Sequence, residues 1–275
     1  MPDDPHDQMV VLLRRAIEGM DPIIPKDKVP LPDEDRNTQL YVLGLMTSTN
    51  TLMRTFFRAV EHKEGTSADV LGRSIVFGSV TLMYLGTHRN RLEEMVTQLQ
   101  WNSTRKLDPV YESVLHADGS SEEDRQEARE LLARNGGRRK RLEEKAKENG
   151  WSIDPLTEPE MAVEVQAEKL VTAMKHFDQA VHLNMTTVNS SVAFQPEQKN
   201  FIPTVWSSPL MLALAVDHVL AAFYGGLLAA SDLMSMGNEV KREIARLRAE
   251  VFASWQPIFG GIAAGFTRER AEEEE

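Results

Sequence analysis

The stretch "KHFDQAVHLNMTTVNSS", from Lys175 to Ser191, sets a cation, a carboxylate and two imidazoles within eight residues. Asp178 and His182 are four apart, the spacing at which side chains meet on one face of a helix. Such a pair can orient an imidazole for proton transfer, supply half of a metal site, or close a salt-bridged seam between helices. Lys175 stands seven residues before His182 and nearly in line with it at about 100° per residue. On the same count Leu170, Met174, Phe177, Val181, Met185 and Val188 form an apolar stripe. Lys175, Asp178 and His182 then line one polar flank, while His176 points elsewhere. A metal would need more ligands; Glu164 and Glu168 lie up the flank but are unremarkable on a helix, so no metal or cofactor is expected.

Other chemistries lose their basis in the sequence. There is no cysteine, which removes disulfides, thiolate nucleophiles and Cys-based metal sites. The chain has no G-x-x-x-x-G-K, G-x-G-x-x-G, H-E-x-x-H or G-x-S-x-G. A formal charge of -11 argues against general affinity for nucleic acid or anionic lipid, because such binding rests on excess Lys and Arg. One local exception is "GGRRKRLEEKAKENG", where Arg138, Arg139, Lys140 and Arg141 cluster at what reads as a helix start. Cations there oppose the helix dipole, so either a phosphate-rich partner such as RNA or simple solvation accounts for them.

The elements that must position these groups read as helices. Apolar residues recur at three- and four-residue spacing along the chain, and alternating strand-like runs are nearly absent, so the expected fold is an all-α multi-helix bundle. Residues 1–34 hold a short amphipathic helix from Asp7 to Met20 and a linker carrying Pro22, Pro25, Pro30 and Pro32. A single helical domain is expected over residues 35–256. It starts with a helix from Asp35 to His62 whose stripe is Leu40, Leu43, Met46, Leu52, Phe56, Phe57 and Val60. "ADVLGRSIVFGSVTLMYLGTH" follows as a helix apolar on most sides, capped by Thr66 or Ser67. Residues 118–158 read as a projecting charged helical hairpin, broken at Asn135-Gly136-Gly137. A long helix is expected from Glu160 to about Asn189. The most apolar stretch, Pro209 to Met236, carries Asp217 and His218 near its middle and reads as a buried helix rather than a membrane span. A last amphipathic helix should end at Pro257, leaving residues 257–275 as a solvated tail. The acidic start of the chain lacks a signal-peptide pattern, so a cytoplasmic location is expected.

The segment "TSADVLGRSIVFGSVTLMYL", the charged hairpin, the "FDQAVHLNMTTVNSS" helix and a late Ala- and Leu-rich helix resemble uncharacterised bacterial helical proteins of the DUF5677 type, which are similar to HEPN-domain proteins. The likeness covers roughly Thr66 to Trp255. HEPN ribonucleases carry an Arg, often a polar neighbour, and a His after four to six further residues, and two copies face each other in a dimer. "KHFDQAVH" resembles that motif with Lys175 in the Arg position and His182 as the histidine. The resemblance implies a homodimer, and, if active, metal-free RNA cleavage with His182 moving the proton, Lys175 stabilising charge and Asp178 assisting. Lysine, however, lacks the planar fork that grips phosphate. Phe77 also stands where such families often place a glutamate after the Arg73-Ser74 pair. Both departures favour a non-catalytic, dimeric interaction or regulatory protein with an unidentified protein partner; a toxin- or defence-type ribonuclease is the alternative.

Overall fold

The computed structural model describes residues 4–23, 36–117, 119–154, 156–181, 192–195, 200–203 and 209–273. They form two compact units, one from residues 1–87 with 158–275 and one from residues 88–157. The fold is all-α, with nine α-helices among the described residues.

In the larger unit, α1 spans Pro5–Met20. Asp4 caps it by accepting from the His6 amide at 2.8 Å, and Pro5 sits in the first turn, where its missing N–H costs nothing. Its buried side chains Met9, Leu12, Leu13, Ala16, Ile17 and Met20 follow the helical period. The His6 ring lies 2.8 Å from the Val60 carbonyl, tying the start of α1 to the end of α2, which spans Arg36–Glu61. The buried face of α2 is Val42, Met46, Met53, Phe56 and Val60, with Thr49 and Asn50 between. Met46, Phe56 and Val60 of the expected stripe are thus buried, whereas Leu40 is 48% exposed and Val42 and Met53 join the core instead.

The centre of this unit is α3, Gly65–Thr87, packed along α8, Pro209–Leu233. Both are long and apolar enough to cross a membrane by length and composition, and both bury more than half of that apolar window inside the protein. Small residues set their separation. A Cβ on Gly226 would stand 2.8 Å from the Ser79 Cα, so the backbones touch where neither helix carries bulk. α9, Asn238–Glu273, runs along α8 and α1. It passes through Pro257 rather than ending there, so the expected tail is helical to Glu273. Pro257 removes one donor from the ladder but does not stop α9.

The long helix expected from Glu160 is two helices, α6 at Glu158–Glu164 and α7 at Glu168–Val181. Between them Gln166 adopts φ 55°, a left-handed conformation that cannot continue a helix. Residues 182–191, including Met185 and Val188 of the expected stripe, lie outside the described residues. Beyond them β1, Val192–Gln195, pairs antiparallel with β2, Asn200–Pro203, with Val192 opposite Pro203, an addition that no alternating pattern announced.

In the smaller unit a 3₁₀ turn at Arg89–Arg91 leads into α4, Leu92–His116, which pairs antiparallel with α5, Glu122–Asn149. This corrects the expected hairpin. α5 runs unbroken through Asn135-Gly136-Gly137, its partner is α4, and Arg138 to Arg141 are mid-helix rather than at a helix start. A capping box of Ser121 with Asp124 opens α5, and Gly150 at φ 69° closes it. Because α5 buries only Ala128, Asn135 and Ala146, polar contacts hold the pair: Lys145 Nζ to Glu93 at 2.6 Å, Trp101 Nε1 to Glu143 at 2.9 Å, and Arg139 to Asp108.

Candidate functional site

The polar groups of α7 meet the middle of the larger unit around one ring. Phe177, fully buried, sits edge-on to His176 with centroids 5.4 Å apart and to His218 of α8 at 6.3 Å. Gly72 of α3 makes room for it, since a Cβ there would lie 2.8 Å from the Phe177 Cζ. Leu170, Ala173 and Met174 are buried with it, as the apolar stripe requires. Once that face is fixed inward, the flanking residues are set against α3 and α6.

Arg73 of α3 donates from Nε to Asp178 at 2.6 Å, and its Nη2 lies 3.9 Å from Glu158 of α6. One turn back on α3, Asp69 faces His176, with Oδ1 3.5 Å from Nε2. That separation gives an ion pair when the imidazole is protonated but is too long for a good hydrogen bond. The His176 Nε2 and the His218 Nδ1 are both buried without a hydrogen-bond partner. Burial holds the His218 pKa below the usual histidine value; nearby His176 adds to this, and Asp217 opposes it. A neutral His218 at neutral pH follows. Asp217 itself accepts from the Trp255 indole at 2.8 Å, which links α8 to α9.

Of the residues chosen from sequence on this flank, the structure describes Lys175 and Asp178. Asp178 accepts from Arg73 of α3 through Oδ1. Lys175 is exposed on α7. His182 lies outside the described residues, one position past the end of α7. His176, which the helical count set aside, is the imidazole that meets a carboxylate. Asp69, Arg73, Glu158 and His218 were not singled out as site residues. Their signals were present: Asp69 and Arg73 are one turn apart on an otherwise apolar helix, and Asp217-His218 interrupts the most apolar stretch of the chain.

Chemically the cluster is a charge-compensated seam. Arg73 has two carboxylates near it, so a phosphate would have to displace one of them. Asp69, Glu158 and Asp178 outnumber the fixed cation, which makes the locus unfavourable for a polyanion. Among the described residues no three His, Asp or Glu side chains are placed to hold a metal ion. In the smaller unit Arg139 is turned inward to Asp108, which also accepts from the Asn135 amide, whereas Arg138, Lys140 and Arg141 are exposed. The expected four-residue basic patch is therefore divided between an inner salt bridge and the outer surface of α5. The chain matches no protein-family profile, no curated protein and no solved structure.

Proposed function

We propose that this chain is a non-catalytic, homodimeric helical protein of interaction or regulation, working in the cytoplasm, in which the α7 polar flank is a seam that fixes α7 on α3. The observation that carries this reading is the Arg73–Asp178 contact with Glu158 beside it: the carboxylate expected to assist a histidine is taken up by an arginine of another helix. Catalytic groups are more often held ready with an open side toward substrate. The resemblance to HEPN-like proteins stays compatible with this, since Lys175 replaces the expected Arg.

The test compares two readouts on purified protein. Incubation with single-stranded RNA in chelator should leave the RNA intact, for the native chain and for His182→Ala alike. Arg73→Gln and Asp178→Asn should each lower stability, and the double variant should lose less than the sum, with a coupling of about 0.5–1 kcal/mol for a partly exposed pair. Metal-independent cleavage by the native chain that His182→Ala and Lys175→Ala abolish, with folding intact, would overturn the reading in favour of the ribonuclease.

A further inference from the structure

The outer face of α5 carries a charge pattern that nothing in its own unit uses. Glu123, Glu127, Glu130, Arg134, Arg138 and Arg141 follow spacings of 4, 3, 4, 4 and 3. At about 100° per residue all six fall within about 80° of arc, a single stripe about 27 Å long. All six are exposed. Arg129 is paired with Glu122, Arg139 with Asp108 and Lys145 with Glu93, whereas Lys140 and Lys147 are exposed. Arg134, Arg138 and Arg141 form no ion pair among the described residues.

The order along the stripe is three acids and then three bases. Within one helix this is unfavourable, because Glu123 with Glu127 and Arg134 with Arg138 are like charges one turn apart. The helix dipole explains acids in the first turn but not Glu130, Arg134 and Arg138, which lie well inside both ends, where the dipole no longer acts. The order does have a two-fold complement. An antiparallel second α5 with its dyad at residue 132 sets Glu123 opposite Arg141, Glu130 opposite Arg134, and Glu127 within one residue of opposite Arg138. Gly137 lies beside the stripe, and a Cβ there would meet nothing within 4 Å in its own chain. A mid-helix glycine costs about 1 kcal/mol against alanine. No internal packing requires it or the adjacent Gly136, and at Gly137 the missing side chain leaves room for a second helix to run close by. A nucleic acid fits worse, since half of the stripe would repel it.

From this we infer that the outer face of α5 is the self-association surface of the protein, an isologous antiparallel pairing of two α5 helices through the Glu123–Arg141 stripe. The inference takes from the proposed function only that the chain is a dimer; it does not depend on whether α7 is catalytic.

Sedimentation velocity tests it on the full chain. The native protein should dimerise at low salt and weaken at least about tenfold in Kd near 1 M salt, where the screening length falls to about 3 Å. Arg134→Glu/Arg138→Glu/Arg141→Glu and Glu123→Arg/Glu127→Arg/Glu130→Arg should each be folded by circular dichroism and monomeric, and an equimolar mixture of the two should dimerise again. The chain has no cysteine, so a nitroxide on Ala133→Cys or Glu148→Cys reports direction. Antiparallel pairing brings the first labels within about 20 Å and holds the second about 48 Å apart along the axis, at 1.5 Å per residue from the dyad. A native monomer at every salt concentration, or a dimer that either triple variant leaves intact, overturns the inference. So does loss of RNA binding in the arginine variant with its assembly unchanged, which would make the stripe a nucleic-acid face. RNA cleavage by His182 would defeat the proposed function and leave this result standing.

Discussion

The adjacent glycines Gly225 and Gly226 of α8 offer a controlled measure of how tightly the larger unit is built. An alanine Cβ at either would meet a neighbour at nearly the same distance, 2.7 Å from the Met83 Sδ for Gly225 and 2.8 Å from the Ser79 Cα for Gly226. What they meet differs: the first is the end of a flexible thioether, the second is helix backbone. Replacing an internal helix glycine by alanine gains about 1 kcal/mol of propensity. For Gly225→Ala, Met83 turns aside at small cost, and the net change should be within about 1 kcal/mol of zero. For Gly226→Ala the contact must open toward the ordinary 3.5–4.0 Å. That pushes α8 off α3 along the central helix pair, and overpacking of this kind costs about 1–3 kcal/mol or more. After the propensity gain, a net loss of up to about 2 kcal/mol is expected, a fall of up to about 8 °C in Tm for a unit of this size. Gly44→Ala is the reference, because its Cβ would meet nothing within 4 Å on the exposed side of α2. It should stabilise by about 0.5–1 kcal/mol. Urea unfolding of the three variants, with unchanged m, should rank Gly44→Ala above Gly225→Ala above Gly226→Ala. Equal stability of the Gly225 and Gly226 variants would refute the argument that backbone contact sets the α3–α8 distance.

Two further outcomes follow from the cluster around Phe177. Because burial lowers the His218 pKa in the folded state, the unfolded chain binds the proton more readily; stability is fully present above about pH 6.5 and declines as pH falls below it. The urea midpoint should therefore drop from pH 7.5 to pH 5.5, and His218→Phe should flatten that slope; an unchanged slope would locate the titration elsewhere. Trp255→Phe removes the donor to Asp217, and with the indole fully buried it should cost about 1–3 kcal/mol, a penalty that shrinks in an Asp217→Ala background, which has no acceptor. Equal penalties in both backgrounds would show that ring volume, not the hydrogen bond, matters there.

Much of the helical content was legible because local periodicity carries it. The α7 stripe of Leu170, Met174 and Phe177 was visible in spacing alone, and so was the burial of the Pro209–Leu233 helix despite Asp217 and His218. Breaks were harder to read. Gln166 interrupts the expected long helix with a conformation that no residue type there announces, while Asn135-Gly136-Gly137 and Pro257, which look like breaks, lie inside continuous helices. Glycine and proline lower helix stability by amounts that flanking turns can outweigh, so their presence alone does not end a helix. The α2 stripe held at Met46, Phe56 and Val60 and missed at its start for a different reason: at Leu40 both exposed and buried readings fit the pattern, and only the neighbours choose.

The residues of the site divide the same way. The sequence by itself determined that α7 has an apolar face with a polar flank, that thiol chemistry is absent, and that residues 118–158 are charged and helical with little to bury. Those properties follow from composition and from the fixed angle between successive residues on a helix. Tertiary structure alone decided which polar groups meet. Arg73 and Asp178 are 105 positions apart, and Asp69 of α3 faces His176 of α7. Such pairings depend on the rotation of α7 against α3, which the Phe177 ring seated over Gly72 fixes, and no spacing within a single helix encodes that rotation.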